Sequence, residues 1–485
     1  VQRGVGAFGF SPSLHIHLEL EATSMAHPRR KRTGAAAFVG IAALALTACG
    51  GGDDGSDTAD GGSGGDIDCS AFEQYGDLEG TTVTVFTSIV TPEDQPHIDS
   101  YIPFEECTGA TIEYEGSRSF EEQLPVRIRA GNAPDIAYIP QPGLLQTLVT
   151  QNPGAVVPAG ELATSNVEEF YNEAWKGYGS VDGTFYAVPV GANAKSFVWY
   201  SPAAFADNGY EIPETWDDLM ALSQQIASEQ GGDGLTKPWC AGIESGGATG
   251  WPATDWLEDM MLRTVTPEEY DQWVTGELPF NDPKVLNALD MAGLVLKDNE
   301  MVNGGLGDVQ SIATQAFGEA GLPILDGTCF MHRQASFYQA NWPEGTTVAE
   351  DGDVFAFYLP GNDTETRPVL GGGEFAAAFD DRPEVQAFLA YLASPEWSNE
   401  KAKLSGPGWL SANNQLDPAN LESPIDQLSF ELLTDENTVF RFDASDLMPG
   451  AVGAGSFWTG MTDWIANDKP SQQVLDEIAA TFPTS

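Results

Sequence analysis

The sequence predicts an α/β fold built on a parallel sheet with helices on both faces, and three observations carry that prediction. Short β-branched and aromatic runs read as strands at Thr81–Thr87, Thr111–Glu115 and Asp135–Ile139. Helix-like stretches separate them, residues 92–107 and 119–130, the second with Phe120, Leu124 and Ile128 on one face. The resulting strand–helix–strand order calls for parallel pairing with helices as crossovers. Ligands in such sheets gather beyond the carboxyl ends of the strands. Here that rim offers Thr87, Ser88, Ser117, Arg118 and Gln141.

The segment ahead of this body is an address. Arg29-Arg30-Lys31-Arg32 precedes an apolar run, Ala35–Ala45, and small residues lead to Cys49. A basic region, a short apolar region and small residues form a secretory signal. The apolar run is shorter than the ~20 residues that span a bilayer. Leu46-Thr47-Ala48-Cys49 resembles the lipobox of bacterial lipoproteins, which implies that Cys49 takes lipid on its sulfur and starts the mature chain. Met25 opens the signal, so residues 1–24 are expected to lie upstream of the true start. Gly4, Gly6 and Gly9 match a dinucleotide fingerprint but follow no strand and open no βαβ unit. Residues 49–76 form a Gly/Ser/Asp tether, in which Gly61–Gly65 matches a nucleophile elbow without the strand-to-helix turn that motif needs.

Composition narrows the function. The chain carries 72 acidic against 21 basic residues, a formal net charge of −51. Such a surface repels nucleic acid and anionic lipid heads, and its self-repulsion points to a saline habitat, where salt screens it. After Cys49 the only histidines are His97 and His332. That excludes a histidine-rich metal site and supplies a Ser-His-Asp triad poorly. No cofactor, metal or catalytic residue is expected. Acidic residues are so abundant that no pair of them argues for glycoside hydrolysis. With Cys49 lipidated, Cys69, Cys107, Cys240 and Cys329 remain, an even number in an oxidising compartment. Three pairings are open; 69–107 with 240–329 keeps each bridge inside one structural region and is favoured.

A family resemblance emerges at Gly131–Ile136 (GNAPDI), at Asp182–Tyr200 (DGTFYAVPVGANAKSFVWY) and at the helix start Thr215–Leu219 (TWDDL). These segments resemble the solute-binding proteins of sugar ABC transporters. Cys240–Trp256 (CAGIESGGATGWPATDW) and Phe442–Pro449 (FDASDLMP) are most similar to the α-glucoside-binding members. The resemblance implies a two-lobed fold of the periplasmic-binding-protein kind, with strands crossing between lobes and a sugar in the cleft. It divides the chain into lobe 1 (77–190), lobe 2 (191–370), a return to lobe 1 (371–412) and a return to lobe 2 (413–485). It further implies a monomer anchored by lipid on the outer face of the membrane. Membrane permease subunits would be its partners, and a separate subunit would use ATP.

The remaining elements follow in order. Asp182-Gly183 is a turn, and the extended chain after it contains Pro189, which suits an edge or interlobe strand. Asn193 falls where the chain enters the second lobe, a position that faces sugar by resemblance. Trp251-Pro252 opens a helix carrying Asp255. A pyranose has apolar faces and a hydroxyl rim, so Trp251 is the stacking candidate, with Glu244 and Asp255 as hydroxyl acceptors. Residues 265–330 read as helices and turns, and Cys329–Gln334 as a short strand entering a loop. Gln334 and Phe337 fall at second-lobe contact positions of the family, whereas His332 reads as structural. Val354–Pro360 is a strand; Gly371-Gly372-Gly373 suits a hinge or close backbone approach, followed by Glu374 as a sugar contact. A helix spans 382–394, and Ser405–Leu410 resembles the family's glycine-proline turn, with Trp409 as a contact. Arg441 and Asp446 bond hydroxyls or pair with each other, and Trp458, at a helix start, stacks on sugar by resemblance. The leading expectation is an α-glucoside ligand of the maltose, trehalose or sucrose type. Another carbohydrate or a polyol comes next, then an extracellular glycosidase.

Overall fold

Two sheets, each wrapped in helices, face each other across a cleft. The computed structural model describes residues 67–303, 308–404, 409–435 and 437–483, all within one unit, Gly64–Ser485. Cys49, the leader, the tether up to residue 66 and the Gly-Pro turn at Ser405–Gly408 lie outside the described residues. None of the described helices is long and apolar enough to cross a membrane.

The first sheet has the spatial order Thr111–Gly116, Thr82–Thr87, Ile136–Ile139, Phe375–Ala378, Ala187–Pro189. Its first three strands are parallel, as their helical crossovers require. Phe375–Ala378 arrives from a distant part of the chain and runs antiparallel to both neighbours. Pro189, which has no N–H to give a second neighbour, sits on the edge strand. The helix expected over 92–107 is two short ones, Gln95–Asp99 and Ile102–Thr108, because Pro96 and Pro103 each begin a new first turn. The helix read over 119–130 is Phe120–Ala130, with Phe120 and Leu124 buried. The surrounding core takes in Phe86, Phe104, Tyr138, Phe388 and Tyr391, and still includes Leu416 and Leu421, beyond the division expected at 412.

The second sheet has the order Val302–Asn303, Lys237–Cys240, Cys329–Arg333, Phe197–Tyr200, Phe355–Tyr358. Its core is built on fully buried tryptophans, among them Trp199, Trp239, Trp273 and Trp464. Burying an aromatic side chain of this size stabilises by about 1.5–3 kcal/mol. Each sheet region holds one disulfide. Cys69–Cys107 ties the first helical turn to Ile102–Thr108, and Cys240–Cys329 joins neighbouring strands of the second sheet.

A third, three-stranded sheet lies between these two: Thr438–Phe442, Arg367–Gly372, Asn193–Ala194. Gly371 pairs with Ala194 and Gly372 with Asn193. A Cβ on Gly371 would fall 2.2 Å from the Phe440 ring, so the glycine permits the close approach that the sequence suggested.

Candidate functional site

The cleft closes over a cavity of about 190 Å³, at the carboxyl ends of the first sheet's parallel strands. Two tryptophans form its second-lobe wall: Trp251 begins the helix Trp251–Thr264, whereas Trp458, expected at a helix start, continues from the π-helical turn Val452–Phe457 into Trp458–Ala466. Gly250 brings them together. Its φ is +113°, and a Cβ there would lie 2.2 Å from the Trp458 carbonyl oxygen. Trp251 meets Phe317 edge-on at 5.2 Å and Phe337 at 6.0 Å, making one aromatic wall. Across the cavity, Trp409 donates from Nε1 to the Val190 carbonyl at 3.1 Å and leans on Trp397 at 5.6 Å. Gly191 leaves room beside it, since a Cβ would lie 2.4 Å from the Glu374 carboxylate and 2.9 Å from Trp409 Nε1.

A buried ion network supports the floor. Lys195, which follows the crossing strand Asn193–Ala194, donates to Asp443 and, at 3.2 Å, to Asp255. Arg333 donates to Asp255 at 2.8 Å and to Asp259 at 2.8 Å through Nε; Arg263 donates to Asp259 at 2.8 Å. Ser196 donates to Asp259 at 2.6 Å and accepts from Leu370 N–H at 2.8 Å, so the network grips both crossing strands. Burial opposes ionisation of Asp443, but Lys195 outweighs it and holds the carboxyl down to about 2. Burial pushes Asp255 up to about 6 against the pull of Lys195 and Arg333, and raises Glu258 well above the carboxylate range. Asp255, Glu258 and Asp443 each place an oxygen within 4.8 Å of the others. Lys195 and the N–H groups of Ala444 and Ser445, both at 3.1 Å from Glu258, already serve these carboxylates.

Two hydrogen bonds cross the cleft mouth. Gly247 N–H donates to the Arg118 carbonyl at 3.2 Å, and Asn341 Nδ2 donates to Glu93 at 3.2 Å. The conformation is therefore a closed one.

Residues 84–399 match the family model described as bacterial extracellular solute-binding protein. The chain belongs to the bacterial extracellular solute-binding proteins. That places it with the substrate-binding proteins of sugar ABC importers rather than with enzymes. This solute-binding protein is 40% identical over 419 residues to the osmoprotective compounds-binding protein GgtB of Synechocystis sp., covering 86% of this chain and 96% of that one. It is 38% identical over 412 residues to the alpha-glucosides-binding periplasmic protein AglE of Rhizobium meliloti, covering 81% and 85%. Among solved structures, the bacterial solute receptor AcbH superposes with a TM-score of 0.68 at 17% identity, covering 82% of this chain and 98% of AcbH, which shows the shared two-lobed fold.

The structure of this solute-binding protein gathers ten of the residues singled out from sequence around the cavity: Ser88, Arg118, Gln141, Asn193, Trp251, Phe337, Glu374, Trp409, Asp446 and Trp458. Six lie elsewhere. Thr87 is fully buried and its hydroxyl accepts from Ile89 N–H; Ser117 takes bonds from Ser119 and Gln123. Glu244 accepts from Gly246 N–H within its own loop. Asp255 points into the ion network, one layer behind the cavity. Gln334 is fully buried and caps Ala335 N–H. Arg441 pairs neither with hydroxyls nor with Asp446; it forks onto Asp271 at 2.8 and 3.1 Å on the outside of the lobe. His332 is buried, with Nδ1 bonded to the Cys240 carbonyl at 3.0 Å. Sequence reading passed over Glu93, Glu121, Lys195, Phe317 and Asp443, all cavity-lining. Glu93 and Glu121 lie a few residues beyond the strand ends, so the carboxyl-end rule applied over a wider window would have reached them.

Proposed function

We propose that this chain captures an α-glucoside of the maltose, trehalose or sucrose type and delivers it to a membrane permease. The observation that carries the reading is that Trp251 and Trp458, brought together at Gly250, both line a cavity rimmed by carboxylates and amides. Flat aromatic faces take the C–H surface of a pyranose, and fixed polar groups take its hydroxyls. The similarity to the alpha-glucosides-binding AglE points the same way. In an open state only one lobe would touch the sugar. Closure adds the second set of contacts, so binding favours the closed form. Lipidation of Cys49 would hold this monomeric receptor on the outer face of the membrane, where the permease waits. The name of GgtB favours a second reading, in which the ligand is an osmoprotective sugar or polyol.

Isothermal titration with maltose, trehalose, sucrose, cellobiose and glucose tests this. Micromolar or tighter binding to an α-glucoside, lost in Trp251→Ala and Trp458→Ala, is the expected result. Binding to cellobiose alone overturns the α-linkage. Silence across the panel from folded protein overturns the glycoside reading.

A further inference from the structure

The polar groups around the cavity are unevenly matched. Five carboxylates line it: Asp443 is paired by Lys195, and four others, Glu93, Glu121, Glu374 and Asp446, stand apart from that pair. Among the described residues none of the four forms an ion pair. The donors to Glu93 and Glu121 are neutral amides, Asn341 at 3.2 Å and Gln141 at 3.1 Å. Two cations share the cavity wall, Arg118 and Lys195, the latter bonded to Asp443 and Asp255. Lys401 lies behind Trp409, and its charge and that of Lys195 reach Glu374, so the four carboxylates still outnumber the cations that face them. Two further acceptors are idle. Gln141 Oε1 (residue 4% exposed) and Asn193 Oδ1 (residue 7% exposed) are buried at the cavity wall without a hydrogen-bond partner. Because Gln141 spends its Nε2 on Glu121, its free oxygen is the group it presents.

An enclosed site with surplus acceptors and surplus negative charge asks for a ligand with surplus donors and positive charge. A hydroxyl brings one donor together with acceptors of its own, whereas an ammonium brings three donors, a charge and no acceptor. Aromatic faces attract it as well; the wall holds Trp251, Trp409 and Trp458, of which Trp251 and Trp409 already carry Lys195 and Lys401 at 5.3 and 4.6 Å from their ring centres. We propose that the cleft selects an amine-bearing glycoside, an amino sugar whose ammonium group sits among these carboxylates, over the neutral glycoside of the same shape. This rests on the reading of the cleft as a glycoside site and adds the class of glycoside. Before an ammonium binds, the closed cleft holds part of this charge as protonated carboxyls. Burial raises all four carboxyls, Glu93 to about 7 with the charge of Glu374 adding, and Asp446 further under the charge of Asp443. A bound ammonium would draw their protons off, so binding releases protons.

The test is calorimetry on the full chain with trehalose and methyl α-glucopyranoside. Their 2-amino-2-deoxy analogues, 6-amino-6-deoxytrehalose and the N-acetylated forms complete the panel, at pH 6 in buffers of different ionisation heat. The expected result is at least one amine binding tenfold or more tighter than its parent, with proton release. N-acetylation should abolish that gain, and it should shrink below threefold in Glu374→Gln and Asp446→Asn. Parents that bind as tightly as their amines, or N-acetyl forms as tight as the amines, overturn the preference for charge and leave the glycoside reading standing. Failure of parents and amines alike overturns both.

Discussion

Each of the residues that close the cleft has a separable job. In the proposed reading Trp251 and Trp458 supply surface to the ligand, so truncating either to alanine should weaken binding by about tenfold or more. Trp251→Ala should cost little stability, whereas Trp458, 3% exposed and bonded through Nε1 to Ser445, should also lose about 3–5 kcal/mol, which a melting curve run beside the titration separates. Lys195 supplies charge to the protein. Replacing it with methionine leaves Asp443 and Asp255 buried without their ammonium, and breaking such a pair costs about 3–5 kcal/mol, measurable by denaturant unfolding. Glu93 reports on pH. Its carboxyl rises from 4.5 in the free residue to about 7 in the fold, chiefly through burial. Between those values the folded chain holds a proton that the unfolded chain has lost, so this group makes stability fall as pH rises through the window and level off above it. Glu93→Gln should flatten that stretch of the melting-temperature profile between pH 4.5 and 7. Trp251 was legible in sequence because Gly250 and Pro252 beside it mark a helix start, and Trp458 only through the family resemblance, since the chain is already helical before it. Lys195 was not, because its partner Asp443 is 248 positions away and the pairing exists only in three dimensions. Glu93 and Glu121 were hidden for a different reason: among 72 acidic residues no single one stands out.

At the scale of elements, the site depends on backbones that approach unusually closely. Gly250 takes a left-handed φ of +113° against the Trp458 carbonyl. Alanine there meets both a disfavoured backbone and a clash, so Gly250→Ala should lower stability by about 2 kcal/mol or more and weaken binding together, since it separates the two tryptophans. The strands were readable from β-branched runs, and their parallel pairing from the helices between them. The origin of the first sheet's fourth strand was readable only through resemblance, because Phe375–Ala378 carries no local mark of which sheet it joins. The split of 92–107 into two helices was available from Pro96 and Pro103, but the run of helix-compatible residues masked it. Arg441 shows the limit of the method. Its neighbour Asp446 lines the cavity, yet Arg441 sits on the strand Thr438–Phe442 and reaches outward to Asp271.

The molecule as a whole is governed by its charge and by its chain path. With a net −51, long-range repulsion weakens the folded state at low ionic strength. The melting temperature should rise steadily from dilute buffer to molar NaCl as the screening length falls toward ~3 Å; a flat profile would remove the case for a saline habitat. The two disulfides reinforce each sheet region separately, and neither crosses the cleft. The chain path has a consequence for how the protein is made. The first sheet places Phe375–Ala378 between Ile136–Ile139 and Ala187–Pro189. A chain threaded through an export channel from its N-terminus therefore delivers two edges of a sheet long before the strand that joins them. For some two hundred residues of passage the leading half must wait outside the membrane, unable to finish folding, and its dense negative charge opposes association of such a waiting chain with its neighbours.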